Sequence, residues 1–306
     1  MTIALLFPGQ GTQHAAMLPW LDGEERARPV LERMAATLGR DWRARLADSA
    51  WSQANAAAQV LVTGASVAAW AVLAPGLPRV VAVAGYSVGE LASCVAAGML
   101  DAGDAQALAE RRAAAMDACV ADGATGLLSV SNVDARDVAA ACGRWDLEVA
   151  IRTGERRCIL GGPTDALAQA AAQLAGLGAN AKPLGVRVAS HTRALRAAVP
   201  ALAQALARAT WRAPRVAWVA GITGAVLRDT AAVRHVLAEQ VATTVRWDDC
   251  MDAVAERRPD GVLQVGPCTS LARLWRERHP AIPVRSCDDF ASAAQVIDWA
   301  RSSGAR

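Results

Sequence analysis

The chain has 306 residues, a net charge of +3 at pH 7 and 53% hydrophobic residues, many of them alanine. That length allows an ample core in one large domain with an insertion, or in two domains. So small a charge gives no electrostatic footprint for a nucleic-acid partner, and because Lys182 is the only lysine, a Walker A phosphate loop is excluded.

Ile3 to Phe7 reads as a short apolar strand that runs into Pro8-Gly9-Gln10-Gly11-Thr12-Gln13. Two glycines there let the backbone turn tightly and approach a ligand, although an ordinary connection fits the spacing equally well. The first residues carry neither a basic leader nor an apolar core of signal length. Helical patterns follow at about 24–38, 53–74, 88–98 and 102–120, with an apolar strand at 79–84 among them. The uncharged stretch from Trp51 to Pro78 contains Gln53, Asn55, Gln59, Thr63 and Ser66 among small alanines. This indicates a buried helix rather than a membrane span. The βα alternation predicts a parallel sheet covered by helices, with ligands at the carboxyl ends of its strands.

The strand at 79–84 leads into Gly85-Tyr86-Ser87-Val88-Gly89-Glu90, the pattern of a nucleophile elbow. Flanking glycines remove the Cβ atoms that would clash in so sharp a turn, and the helix that follows aims its free N–H groups at the same spot. The plainer reading is a capping box, with Ser87 and Glu90 opening an ordinary helix.

Between about 124 and 188 the rhythm changes to strand 125–131, helix 134–142, strands 147–151 and 156–161, helix 163–177 and strand 182–188. This β-α-β-β-α-β order predicts a ferredoxin-like small subdomain over 123–189, inserted into a larger α/β domain made of 1–122 and 190–306. The larger domain resumes with helix 191–207, strand 215–220, helices 230–241 and 247–257, strand 261–265, helix 268–277, strand 283–286 and helix 290–302. Seven scattered cysteines without C-x-x-C spacing suggest a reducing, cytoplasmic compartment and no zinc site.

A serine hydroxyl needs a base, and four histidines are available. His14 trails the glycine loop, His235 falls in a helix and His279 in a charged turn. His191 sits where the small subdomain hands back to the large one, which is the place for a cleft; its candidacy as the base stands beside a structural or capping role. No spacing singles out an acid to orient it, so a backbone or amide carbonyl is an alternative acceptor. Arg111 and Arg112, on the helix after the elbow, allow bidentate recognition of an acyl carboxylate. By pattern alone Glu110-Arg111-Arg112 is better read as a solvated face.

Together these segments resemble the malonyl-CoA:acyl-carrier-protein transacylase family. Phe7-Pro8-Gly9-Gln10-Gly11-Thr12-Gln13 is similar to the family's opening F-P-G-Q-G-S-Q, Gly85 to Glu90 to its G-H-S-x-G-E, Ser190-His191 to its S-H, and Val265-Gly266-Pro267 to its late V-G-P. The resemblance implies a hydrolase-like α/β domain with a ferredoxin-like insert. It implies Ser87 as nucleophile, His191 as base and then acid, and the backbone N–H groups of Gln10 and Val88 as an oxyanion hole. Arg112 would bind the malonyl carboxylate, and the Gln240 main-chain carbonyl would orient His191. The substrates implied are malonyl-CoA and the phosphopantetheine-type thiol of an acyl carrier protein, with no metal, bound cofactor, nucleic acid or membrane.

Tyr86 stands where the family usually has histidine, and G-Y-S-V-G-E looks like the form in the epsilon subunit of malonate decarboxylase, whose carrier thiol belongs to a dephospho-CoA-derived group. Ala150-Ile151-Arg152 lacks the asparagines of fatty-acid-synthesis members. The expectation is therefore the malonate decarboxylase subunit and its carrier subunit, with a transacylase of fatty acid or polyketide synthesis as the alternative. A serine esterase or thioesterase shares the elbow but passes the acyl group to water, and a non-catalytic interaction subunit would not be acylated at Ser87. Arg187, Arg193 and Arg196 are candidates for steering an acidic carrier.

Overall fold

In the computed structural model, which describes residues 1–120 and 124–303, eleven strands form two sheets. In chain order they are β1 (Thr2–Phe7), β2 (Arg79–Gly85), β3 (Thr125–Ser131), β4 (Glu148–Gly154), β5 (Arg157–Pro163), β6 (Asn180–Pro183), β7 (Ala217–Val219), β8 (Val226–Leu227), β9 (Val245–Arg246), β10 (Gly261–Gln264) and β11 (Val284–Ser286).

The larger sheet has the order β11-β10-β1-β2-β7-β8 and is parallel except for the edge strand β8. Ile3 to Phe7 is fully buried, as an interior strand covered on both faces requires. Phe7 stands opposite Gly85 and Leu6 opposite Gln264. The loops after β1, β2 and β10 therefore leave the same edge of the sheet, and three segments distant in sequence converge there.

Helix Asn55–Leu73 packs against helices Arg28–Leu38, Gly89–Ala96 and Ala102–Asp117. Fifteen of its nineteen residues are buried, so its apolar length serves the core. Gly64 permits the close crossing, since a Cβ there would lie 2.5 Å from the Met34 sulfur.

The smaller sheet, in the order β6-β3-β5-β4-β9, carries helices Ala135–Trp145 and Thr164–Ala175 over its own apolar cluster of Leu128, Val130, Leu160 and Leu174. Its first four strands follow the ferredoxin-like order. The fifth, β9, comes from beyond the insert and lies parallel to β4, with Ile151 opposite Val245. Arg152 extends the junction by binding Asp248 at 2.7 and 3.2 Å and Asp249 at 3.3 Å. Arg152 thus ties the small sheet to helix Trp247–Ala255. All seven cysteines are unpaired.

The structure changes two expected elements. The strand expected over 182–188 ends at Pro183, and the helix expected over 191–207 begins only after residue 192. It divides into a 3₁₀ turn, Arg193–Ala198, and helix Val199–Arg208, with Pro200 in the first turn of the second piece, where its missing N–H is harmless.

Candidate active site

The elbow forms because β2 stops at Gly85. The Tyr86 amide donates to the Phe7 carbonyl at 2.9 Å, which pins the turn to β1, and Ser87 takes a left-handed φ of 56°. A Cβ on Gly85 would lie 2.2 Å from the Glu90 nitrogen, and one on Gly89 would lie 2.3 Å from the Phe7 oxygen. Backbone cannot yield there as a side chain would. Gly85→Ala is therefore expected to destabilise the protein by about 3 kcal/mol, the upper range for overpacking. Thermal melting beside wild type checks this, and an unchanged melting temperature would refute it.

Helix Gly89–Ala96 has no side-chain cap, so the capping-box reading does not hold. The Glu90 carboxylate turns inward instead, accepting from the Gly221 amide at 2.5 Å and from the Gln240 side-chain amide.

His191, with φ 65°, is held from both sides. Its amide donates to the Val241 carbonyl at 2.7 Å, and its Nδ1 lies 2.7 Å from the Gln240 carbonyl oxygen. A carbonyl only accepts, so Nδ1 carries the proton and Nε2 keeps its lone pair. Nε2 lies 2.8 Å from Ser87 Oγ and is placed to accept the hydroxyl proton. Burial lowers the His191 pKa to about 3, the nearby Arg112 charge adds to this, and the Gln240 carbonyl opposes it. The other histidines lie elsewhere: His14 pairs with Asp288 at 2.6 Å, His279 with Asp252 at 3.1 Å, and His235 is exposed.

Arg111 is exposed and Arg112 is only 4% exposed, so the solvated-face reading fails for Arg112. Successive helical positions point about 100° apart, which lets neighbours have opposite fates. One end of the Arg112 guanidinium donates to Gln59 Oε1 at 2.8 Å. The other donates to Gln240 Oε1 at 2.9 Å and reaches Ser87 Oγ at 3.3 Å. Burial lowers the Arg112 pKa to about 10, with Glu90 opposing the shift, so it remains a cation at neutral pH. Burial likewise raises the Glu90 pKa to about 8, against the Gly221 amide, the Arg112 charge and the Gln240 amide.

A cavity of about 720 Å³ opens in front of Ser87 and His191, its wall drawn from both sheets and from the Gly9–Thr12 loop. Gln10 lines it, while Val88 is buried directly beside Ser87. Neither backbone amide donates to a protein acceptor among the described residues. Tyr86 also lines the cavity and packs its ring edge-on against Trp247, with centroids 5.2 Å apart. At the mouth, Lys182 and Arg273 have no acidic partner among the described residues. Arg193 is paired with Asp146 and Glu148, and Arg196 with Glu239, so the expected steering role loses two of its three cations. No group of three His, Cys, Asp or Glu side chains is placed to hold a metal ion among the described residues.

Sequence reasoning missed the side chains of Gln59, Glu90 and Gln240 as parts of this network. For Gln59 the available signal was an amide in an otherwise apolar helix, since a buried polar group needs a partner.

Residues 4–304 match the acyl transferase domain family. The chain is 30% identical over 307 residues to the malonyl CoA-acyl carrier protein transacylase of Mycobacterium tuberculosis, covering 97% of this chain and 99% of the relative. The transacylase of Salmonella typhimurium is also 30% identical over 307 residues, covering 96% and 98%. Among solved structures, the acyl-carrier-protein S-malonyltransferase of Burkholderia pseudomallei has a TM-score of 0.89 at 29% identity, covering 97% of this chain and all of that one. A malonyl-transacylase in complex with a holo type II polyketide acyl carrier protein has a TM-score of 0.90 at 25% identity, covering 97% and 99%. With the match running across both sheets and through every segment that meets at Ser87, the chain belongs to the acyl transferase domain family.

Proposed function

We propose that this protein moves a malonyl group from malonyl-CoA to the thiol of an acyl carrier protein by way of an ester on Ser87. The observation that carries the reading is the buried Arg112 guanidinium 3.3 Å from Ser87 Oγ. An acetyl donor or a simple ester gives such a cation nothing to bind, whereas a free carboxylate on the acyl chain does. The relatives named above, called malonyl transacylases and malonyltransferases, support the same substrate.

In this mechanism Ser87 Oγ attacks the thioester carbonyl as its proton passes to His191 Nε2. The Gln10 and Val88 amides stabilise the oxyanion, and the Gln240 carbonyl supports the imidazolium through Nδ1–H. The tetrahedral intermediate collapses, the C–S bond breaks, and CoA leaves as the thiol with the proton from His191. The carrier thiol then repeats the sequence on the Ser87 ester. Lys182 and Arg273 at the mouth suit phosphate groups on either thiol-bearing arm.

Brief incubation with malonyl-CoA, followed by intact-protein mass and peptide mapping, tests this proposal. The expected result is a malonyl adduct on the peptide carrying Ser87 and little adduct from acetyl-CoA. Free malonate and CoA without an adduct would make the protein a hydrolase, and intact malonyl-CoA would make it a non-catalytic subunit.

Tyr86 favours a second reading of the acceptor, in which the chain is the epsilon subunit of malonate decarboxylase. Its ring fills the position next to the nucleophile against Trp247. Discharge of the malonyl ester to a phosphopantetheine carrier and to a dephospho-CoA-type carrier, measured side by side, separates the two. Faster discharge to the phosphopantetheine carrier supports the transacylase of fatty acid or polyketide synthesis, to which the named relatives point.

A further inference from the structure

Glu90 is 1% exposed, yet it touches neither the Ser87 hydroxyl nor His191. Its two oxygens accept from the Gly221 amide and from Gln240 Nε2. Gly221 has no side chain to obstruct this, and a Cβ there would lie 2.8 Å from the Glu90 oxygen. Gln240 Nε2 also donates to the Ser87 carbonyl at 3.0 Å. With both donors on that side, Gln240 Oε1 has one direction left, and it accepts from Arg112 at 2.9 Å.

We infer that Glu90 is a positioning residue for acyl selection: it fixes which end of the Gln240 amide faces Arg112, and so holds the guanidinium ready for the acyl carboxylate. This rests on the malonyl-transfer reading. The acceptors around Arg112 are the amide oxygens of Gln59 and Gln240 and, at 3.3 Å each, Ser87 Oγ and the Met116 sulfur, all neutral. A carboxylate directly on Arg112 would compete with the substrate carboxylate for the same fork. One amide farther away, Glu90 leaves Arg112 facing neutral acceptors that a substrate carboxylate can displace, while the intervening amide dipole points its oxygen at Arg112.

Glutamine at position 90 removes this polarity. Its oxygen is claimed by the Gly221 amide, which has no other acceptor among the described residues, so its NH₂ meets the Gln240 NH₂. Gln240 then turns over, the Ser87 carbonyl keeps only the backbone amide of residue 90 as donor, and an amide donor faces the Arg112 cation.

The test compares kcat/KM for malonyl-CoA and acetyl-CoA in wild type, Glu90→Gln, Gln240→Met and the double variant. Gln240→Met keeps the main-chain carbonyl that faces His191. Glu90→Gln is expected to lower the malonyl-to-acetyl ratio about tenfold or more, the size of a lost hydrogen bond to a charged group, chiefly through KM for malonyl-CoA. The double variant is expected to be no worse than the poorer single one, because both break the same path.

A parallel fall for both donors in Glu90→Gln would reduce Glu90 to a structural role, and independent losses in the double variant would remove Gln240 from the path. If Glu90→Gln gives no cooperative melting transition, Gln240→Met decides, and an unchanged ratio there overturns the inference. A wild type that takes malonyl no faster than acetyl overturns the malonyl reading and this inference together. A wild-type preference that survives in the variants overturns the inference alone.

Discussion

Alanine at Ser87 is expected to abolish the covalent malonyl adduct, and alanine at His191 to slow its formation by roughly 10²–10⁴-fold, the usual contribution of a positioned general base. The two side chains share one proton along a 2.8 Å contact, so they act as a unit. The double variant should be no slower than Ser87→Ala, since the base has nothing to activate without the hydroxyl. Acylation kinetics followed by mass check both statements. A His191→Ala enzyme within about threefold of wild type would remove His191 from the proton path, because a loss that small lies well below a base's share.

The same site predicts a pH profile. With its pKa lowered to about 3, His191 stays neutral and able to accept a proton well below the 6.5 of an ordinary histidine. The kcat/KM for malonyl-CoA should therefore stay flat from about pH 7, below the Glu90 pKa of about 8, down to about 5, without the bend near 6.5 that an exposed histidine gives. Stability carries the matching sign. The unfolded chain binds a proton at His191 below about pH 6.5 that the folded chain refuses, so this group destabilises the fold progressively as the pH falls towards 3. Wild type should lose more melting temperature than His191→Ala across that window.

The parts of this site that could be read from the sequence are those carried by local backbone demands. Gly9, Gly85 and Gly89 mark turns that no side chain can enter, and each follows an apolar strand whose end the pattern of Val and Leu already locates. The β-α-β-β-α-β insert is legible for the same reason, since each element has its own periodicity. Strands β8 and β9 have two residues each and carry no period at all. The network behind Ser87 is illegible for a different reason. Gln59, Glu90, Arg112 and Gln240 meet across separations of up to 181 positions, between Gln59 and Gln240, through side-chain hydrogen bonds that leave no mark on local pattern. Arg112 shows the limit most clearly, because next to Glu110 and Arg111 its charge reads as solvated until the packing places it.

Replacing Arg112 with alanine is the change expected to redirect the site most strongly. Truncating one partner of a buried, hydrogen-bonded charge pair costs about 2–5 kcal/mol, which at 1.36 kcal/mol per decade predicts a loss of roughly 30- to 5,000-fold in kcat/KM for malonyl-CoA. Acetyl-CoA makes no such pair, so its loss should be much smaller and the malonyl-to-acetyl ratio should collapse. Arg112→Lys separates charge from geometry. An ammonium keeps the attraction but cannot span Gln59 and Gln240 while offering a fork to a carboxylate, so it should fall between wild type and alanine. Loss of the cation also exposes what it compensates. Glu90, already raised to about 8 by burial, loses a charge that favours its ionised form, and its pKa rises further. Arg112→Ala should therefore keep Glu90 neutral to a higher pH than wild type does. Equal losses with both acyl donors would assign Arg112 to holding Ser87 Oγ, 3.3 Å away, instead of selecting the acyl group.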